Sequence, residues 1–158
     1  MDFTPDQNAL LEEARTLLRS QDLGVLATSA PGSGPHMSLM AYAVLPGEDA
    51  VCMLTNINSR KAANLRIEAR VGLLVDTRPL ASDRAAIRAL SVTGKARLLE
   101  KGQEYDRLRS LLLERIPSLA DFTATQDTAV ILLRAESYLL LRGISDATFL
   151  RLGKTDHA

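Results

Sequence analysis

A chain of 158 residues matches one ordinary domain, long enough to bury a core without disulfides or metals to hold it together. Hydrophobic residues make up 46% and charged residues 24%, with Lys+Arg and Asp+Glu balanced at 19 each, which argues against a disordered chain and against a basic field for nucleic acid. One cysteine excludes an internal disulfide, and two histidines, His36 and His157, are too few for a clustered zinc site, so no metal is expected.

The first predicted element is a helix. Thr4 and Gln7 form a capping box, Pro5 occupies the first turn, and Leu10, Leu11, Ala14, Leu17 and Leu18 recur at helical spacing up to about Ser20. Nothing before it resembles a signal peptide, and no apolar run approaches the roughly 20 residues of a membrane span. A cytoplasmic protein without a membrane partner is expected. Three strand-like runs follow, starting at Leu23, His36 and Ala50 and separated by the turn-rich PGSGP and PGED. Two hairpin connections in a row predict an antiparallel meander.

After Thr55 the pattern changes to NINSRKAANLRIEAR, a short helix that Asn58 or Ser59 can cap. Runs from Val71 and Ala89 read as two more strands, and the polar stretch 77–88 between them is too long for a tight hairpin, which makes it a candidate lid or partner contact. Residues 101–116 carry Tyr105, Leu108, Leu111, Leu112 and Ile116 on one helical face, and Pro117 ends that helix. The stretch AVILLRAESYLLLRG reads as two strands around a turn at Ala135, Glu136 and Ser137, followed by ATFLRL and a tail from about residue 153, including His157, expected to be disordered. Antiparallel neighbours with scattered helices predict an α+β fold, in a single domain covering 1–158.

No phosphate loop, dinucleotide fingerprint or nucleophile elbow is present in its required context. The informative segment is MLTNINSRKAANL, where Thr55, Asn56 and Ser59 gather with Arg60 and Lys61 at a strand end and helix start. Unpaired backbone N–H groups, a guanidinium able to grip a phosphate bidentately and a second point charge suit an anion. Physics alone points to a phosphate and leaves open a plain capped surface helix with two solvated cations. Cys52, inside the apolar AVCML, reads as a buried inert thiol. His36, after Pro35 at a strand start, reads as a surface residue, so no general acid or base stands out.

Those residues resemble the signature of the pyridoxamine 5′-phosphate oxidase-like FMN-binding split barrels, in which Thr-Asn, two variable residues and Ser-Arg-Lys precede a short helix. Thr55, Asn56, Ser59, Arg60 and Lys61 occupy those places, and the resemblance runs from about Leu10 to Leu150. It implies a six- to seven-stranded antiparallel split β-barrel with flanking helices. It also implies FMN as cofactor, with its phosphate on Arg60 and Lys61 and with Ser38, Leu39 and Met40 beside the isoalloxazine ring. Two subunits would build each flavin site, so a homodimer with the cofactor at its interface follows. The implied activity is that of an FMN-dependent oxidoreductase acting on a small molecule that the sequence leaves open.

Departures from the family's true oxidases narrow this. Ser38 stands where they carry a basic residue, Ala89 where they carry Gln, and SDATFLRLG where they hold pyridoxal phosphate with Trp, His and Arg, while this chain has no Trp. Oxidation of pyridoxamine phosphate is therefore not expected. The ending YLLLRGISDATFL is similar to that of a subgroup containing haem-utilisation proteins, which keeps open a non-enzymatic flavin- or haem-binding protein for storage, sensing or electron transfer. A deazaflavin-dependent reductase is a third reading, because related split barrels use that cofactor.

Overall fold

Thr4 begins the first helix as its sequence dictates, accepting a hydrogen bond from the Gln7 backbone at 3.2 Å while the Gln7 side chain accepts from the Thr4 N–H at 2.9 Å. The computed structural model describes residues 3–125 and 127–153, so the expected tail beyond 153, with His157, lies outside the described residues. The helices are α1 (Pro5–Ser20), α2 (Arg60–Leu65), α3 (Gln103–Arg115) and α4 (Leu119–Thr125). The strands are β1 (Leu23–Thr28), β2 (His36–Val44), β3 (Ala50–Asn56), β4 (Arg70–Asp76), β5 (Arg88–Leu99), β6 (Thr128–Arg142) and β7 (Asp146–Arg151).

All strand pairings are antiparallel, in the order β3-β2-β1-β4-β5-β6-β7, and β3 also pairs with β6. The extra pairing closes six strands into a barrel. β6 makes this possible by its length: Thr128–Arg134 lie beside β3 and Ser137–Arg142 beside β7, both on one edge, while β5 follows the other. The fold is thus an α+β split barrel with one added strand. The turn expected at Ala135, Glu136 and Ser137 is instead a bulge within a single strand, because Thr93 pairs with Ser137 but Gly94 with Ala135, leaving Glu136 as the extra residue. A continuous partner strand on the β5 side keeps the chain extended through residues whose local composition favours a turn.

The barrel interior is filled by Leu26, Met40, Tyr42, Met53, Leu73, Leu90, Ile131 and Tyr138, against which α1 lays Leu10, Leu11, Ala14, Leu17 and Leu18. Arg15 locks α1 in place through two bonds to Asp49, at 2.9 and 2.7 Å, and Tyr138 donates to the same carboxylate at 3.0 Å. A second apolar cluster lies outside β2, β3 and β6, under Leu108 and Leu112 of α3. β3 is therefore buried on both faces, which explains its unbroken apolar run.

Cys52 belongs to this outer cluster and is fully buried, with its Sγ 4.0 Å from the Leu108 carbonyl. Burial pushes its thiol up to about 12, so almost none is thiolate near neutrality. A thiol reagent at pH 8 is expected to label native protein only at the rate of unfolding; labelling as fast as in denaturant would show the reading wrong.

The 77–88 segment is not open coil. It forms two short 3-10 turns, Arg78–Leu80 and Arg84–Ala86, and Gly143 donates to the Ile87 carbonyl at 2.8 Å. No helix among the described residues is long and apolar enough to cross a membrane.

Candidate functional site

The start of α2 is organised by short-range polar contacts. Ser59 caps the helix, its Oγ accepting from the Ala62 N–H at 3.3 Å, and shares a 3.0 Å hydrogen bond with Thr55 Oγ1 at the end of β3. Asn56 Oδ1 accepts from the Asn58 N–H at 2.7 Å, which folds the connecting turn. Asn64 is nearly fully buried and donates to Thr28 Oγ1 at 3.0 Å, tying α2 to β1.

Beside this helix start lies a recess of about 300 Å³ with a polar and an apolar end. Thr55, Asn56, Ser59 and Lys61 line the first; Leu39, Met40, Ala41 and Leu54, with Leu119 and Phe122 of α4, line the second. Among the described residues, Lys61 is the only cation of the lining. It is half-buried, burial lowers its pKa, and no hydrogen bond or ion pair joins its ammonium to another described residue. A partly desolvated, unpartnered ammonium is unfavourable by itself and is relieved by an incoming anion.

Of the residues singled out from sequence, Leu39, Met40, Thr55, Asn56, Ser59 and Lys61 meet at this recess. Ser38 and Arg60 are not in its lining. Ser38 Oγ is 3.2 Å from His36 Nε2, on the opposite side of β2 from the exposed Leu39. Arg60 is turned toward the PGSGP turn, donating to the Ser33 carbonyl at 2.6 Å and to Ser33 Oγ at 3.3 Å. Leu54, Ala41, Leu119 and Phe122 were not anticipated. For α4 a signal existed, Leu119 and Phe122 being three residues apart, but Pro117 conceals a new helix behind the end of α3.

A larger hollow of about 700 Å³ lies between the ends of α1 and α3 and the β2–β3 turn. Its charges are largely occupied: Arg15 binds Asp49 and Glu12, Glu48 accepts from Arg134 at 2.6 Å, and Arg115 donates to the Arg19 carbonyl at 2.8 Å. The smaller recess, with its unpaired ammonium, is the better candidate. Among the described residues no three His, Cys, Asp or Glu side chains gather as metal ligands.

One further surface adjoins the recess. In register across the sheet, Leu39, Val25, Leu74, Ser91, Leu139 and Phe149 form a row over six strands. Leu39, Leu74, Leu139 and Phe149 are 70%, 39%, 41% and 56% exposed, and Met37, on the flanking row, is 71% exposed. Only Ser91 interrupts this apolar row, and monomeric proteins rarely leave such a stripe to water.

The model of the family described as pyridoxamine 5′-phosphate oxidase matches residues 10–141. The chain belongs to this family. Among solved structures, the fold is similar to a haem-binding protein from Mycobacterium smegmatis (TM-score 0.78, 23% identity), the alignment covering 95% of this chain and 60% of that one. HutZ, the haem storage protein of Vibrio cholerae, aligns with a TM-score of 0.67 at 18% identity, over 87% of this chain and 94% of its own. An FAD-binding protein from Mesorhizobium loti gives 0.68 at 18% identity, over 82% and 90%. At these identities the likeness concerns the fold, and no curated protein matches the chain. Within the family's barrel, the TNINSRK segment spans the end of β3 and the start of α2, bordering the recess.

Proposed function

We propose that the protein is an FMN-dependent oxidoreductase of the pyridoxamine 5′-phosphate oxidase-like class, working as a homodimer with the flavin at the subunit interface. The observation that supports it most is the Lys61 ammonium, without a partner among the described residues, at the polar end of a recess whose other end is apolar. Lys61 would hold the phosphate together with the Ser59 hydroxyl, whose proton is free to donate when Thr55 donates to Ser59 Oγ, and the β2 segment Leu39–Ala41 would run along the ring. FMN supplies electron or hydride transfer when bound. The chain's own residues bind and orient, since among the described residues the lining offers hydroxyls, an amide and an ammonium but no imidazole or carboxylate.

The size of the recess supports the dimer. About 300 Å³ is at the lower limit of small-molecule pockets, too little for one chain to enclose a flavin. Leu39 belongs to both the recess and the apolar row, so a second copy seated on that row would also wall the recess. A free, buried Cys52 accords with a reducing compartment, and the cytoplasm is the proposed location.

Haem is the second reading. A propionate would meet Lys61 as a phosphate does, and two of the neighbours above are described by haem binding. An absorption spectrum of purified protein separates the readings: flavin bands support the first, a Soret band the second, and a protein that takes up neither on reconstitution overturns both.

Lys61→Ala is expected to weaken FMN by about 10- to 150-fold, the range of roughly 1.5–3 kcal/mol for a hydrogen bond to a charged group. Arg60→Ala should cost less, because its guanidinium is already engaged by Ser33. Riboflavin, with the ring but no phosphate, should bind both variants as it binds wild type. Titrations with the two ligands check this, and an FMN affinity unchanged by Lys61→Ala would remove the phosphate from this end of the recess.

A further inference from the structure

The short helix α4 has a position the family signature does not describe. Its inward face is Leu119 and Phe122, both half-buried, packed on the outer apolar cluster and forming one wall of the recess. Two of its contacts show how it is held there. Arg109 of α3 donates to Thr123 Oγ1 at 3.1 Å, and just beyond α4 the Asp127 carbonyl accepts from the Ile57 N–H at 3.0 Å, inside the TNINSRK segment. The wall is thereby tied to the same turn that presents Thr55, Asn56 and Ser59.

We propose that Phe122, supported by Leu119, is the ring-specificity wall of the site: it lies against a planar aromatic ring whose phosphate or other anionic arm reaches Lys61. This rests on the flavin reading above. An aromatic side chain lining the same apolar end as Leu39, Met40 and Ala41 makes that end suited to a flat, polarisable ring, whereas a phosphate without a ring would leave it filled with water. Division of labour follows from the layout. Lys61 reads the anion and Phe122 reads the ring, so the two substitutions have different signatures.

The test uses the full chain and two ligands, FMN and riboflavin. Phe122→Ala is expected to weaken both by a similar factor, about 10-fold, of the order seen when a stacking aromatic is removed. Lys61→Ala, in contrast, weakens FMN alone. Because Phe122 also packs on α3, a second variant keeps the bulk: the chain has no tryptophan, so Phe122→Trp introduces a single indole at the wall. Bound flavin should then lose its own fluorescence through contact with the indole, while a Ser110→Trp control on the exposed side of α3 leaves it bright. Flavin emission equal in the two tryptophan variants, or FMN and riboflavin affinities unchanged in Phe122→Ala, would overturn the wall. A wild-type protein that binds neither ligand would instead overturn the flavin reading on which it rests.

Discussion

On the proposed dimer, Leu74→Arg is expected to leave the protein monomeric and to weaken FMN binding. Leu74 sits in the middle of the apolar row, flanked in register by Val25 and Ser91, and is 39% exposed in the single chain. If a second copy covers this row, the new guanidinium is enclosed in a largely apolar surface, and Asp76, two residues along the same face of β4, is already paired with Arg78 at 2.9 Å. Enclosing an unpaired charge costs several kcal/mol, so dimer dissociation should rise by about a thousandfold or more. Ser110→Arg on the wet face of α3 carries the same charge and should leave the assembly intact. Sedimentation or light scattering at micromolar concentration reads the result directly. A Leu74→Arg protein that remains dimeric would mean the two copies meet elsewhere; wild type that is monomeric with flavin bound would remove the interface site altogether.

Gly94→Ala is expected to be the most damaging single methyl in the chain. Gly94 stands at the β5–β6 bulge, where a Cβ would press on the Arg134 carbonyl and come within 3.0 Å of the Ala135 Cα. Every obstructing atom is backbone, so no side chain can swing aside. The strand pair must separate or the bulge must move, and β6 then loses the geometry that lets it serve β3 and β7 in turn. A loss of about 3 kcal/mol or more is expected, a large part of the stability of a domain this size. Gly72→Ala, in the neighbouring ladder, provides the contrast: its nearest obstacle is 3.9 Å away, and its stability should stay within about 1 kcal/mol of wild type. Urea unfolding of both variants checks the pair, and equal midpoints would show that the bulge is not a constraint.

Much of this architecture was legible without coordinates. The capping box at Thr4 and Gln7, the turn-rich PGSGP and PGED that bound β2, the apolar AVCML and the apolar spacing of α3 are local signals that depend on neighbours within one turn or one strand, and each element formed where its pattern placed it. The residues of TNINSRK likewise came together at one helix start, because capping and Asx-turn bonds join positions two to four apart. What lay beyond the sequence were events between distant segments. Local composition at Ala135, Glu136 and Ser137 favours a turn, yet a continuous β5 alongside makes the same residues a bulge in one long strand. Arg60 and Lys61 are adjacent and chemically alike, but only the tertiary position of Ser33, 27 residues upstream, draws Arg60 aside and leaves Lys61 lining the recess. The apolar row is the clearest case: Leu39, Val25, Leu74, Leu139 and Phe149 are unremarkable one by one, and only strand register, set by the closure of the barrel, aligns them into a surface.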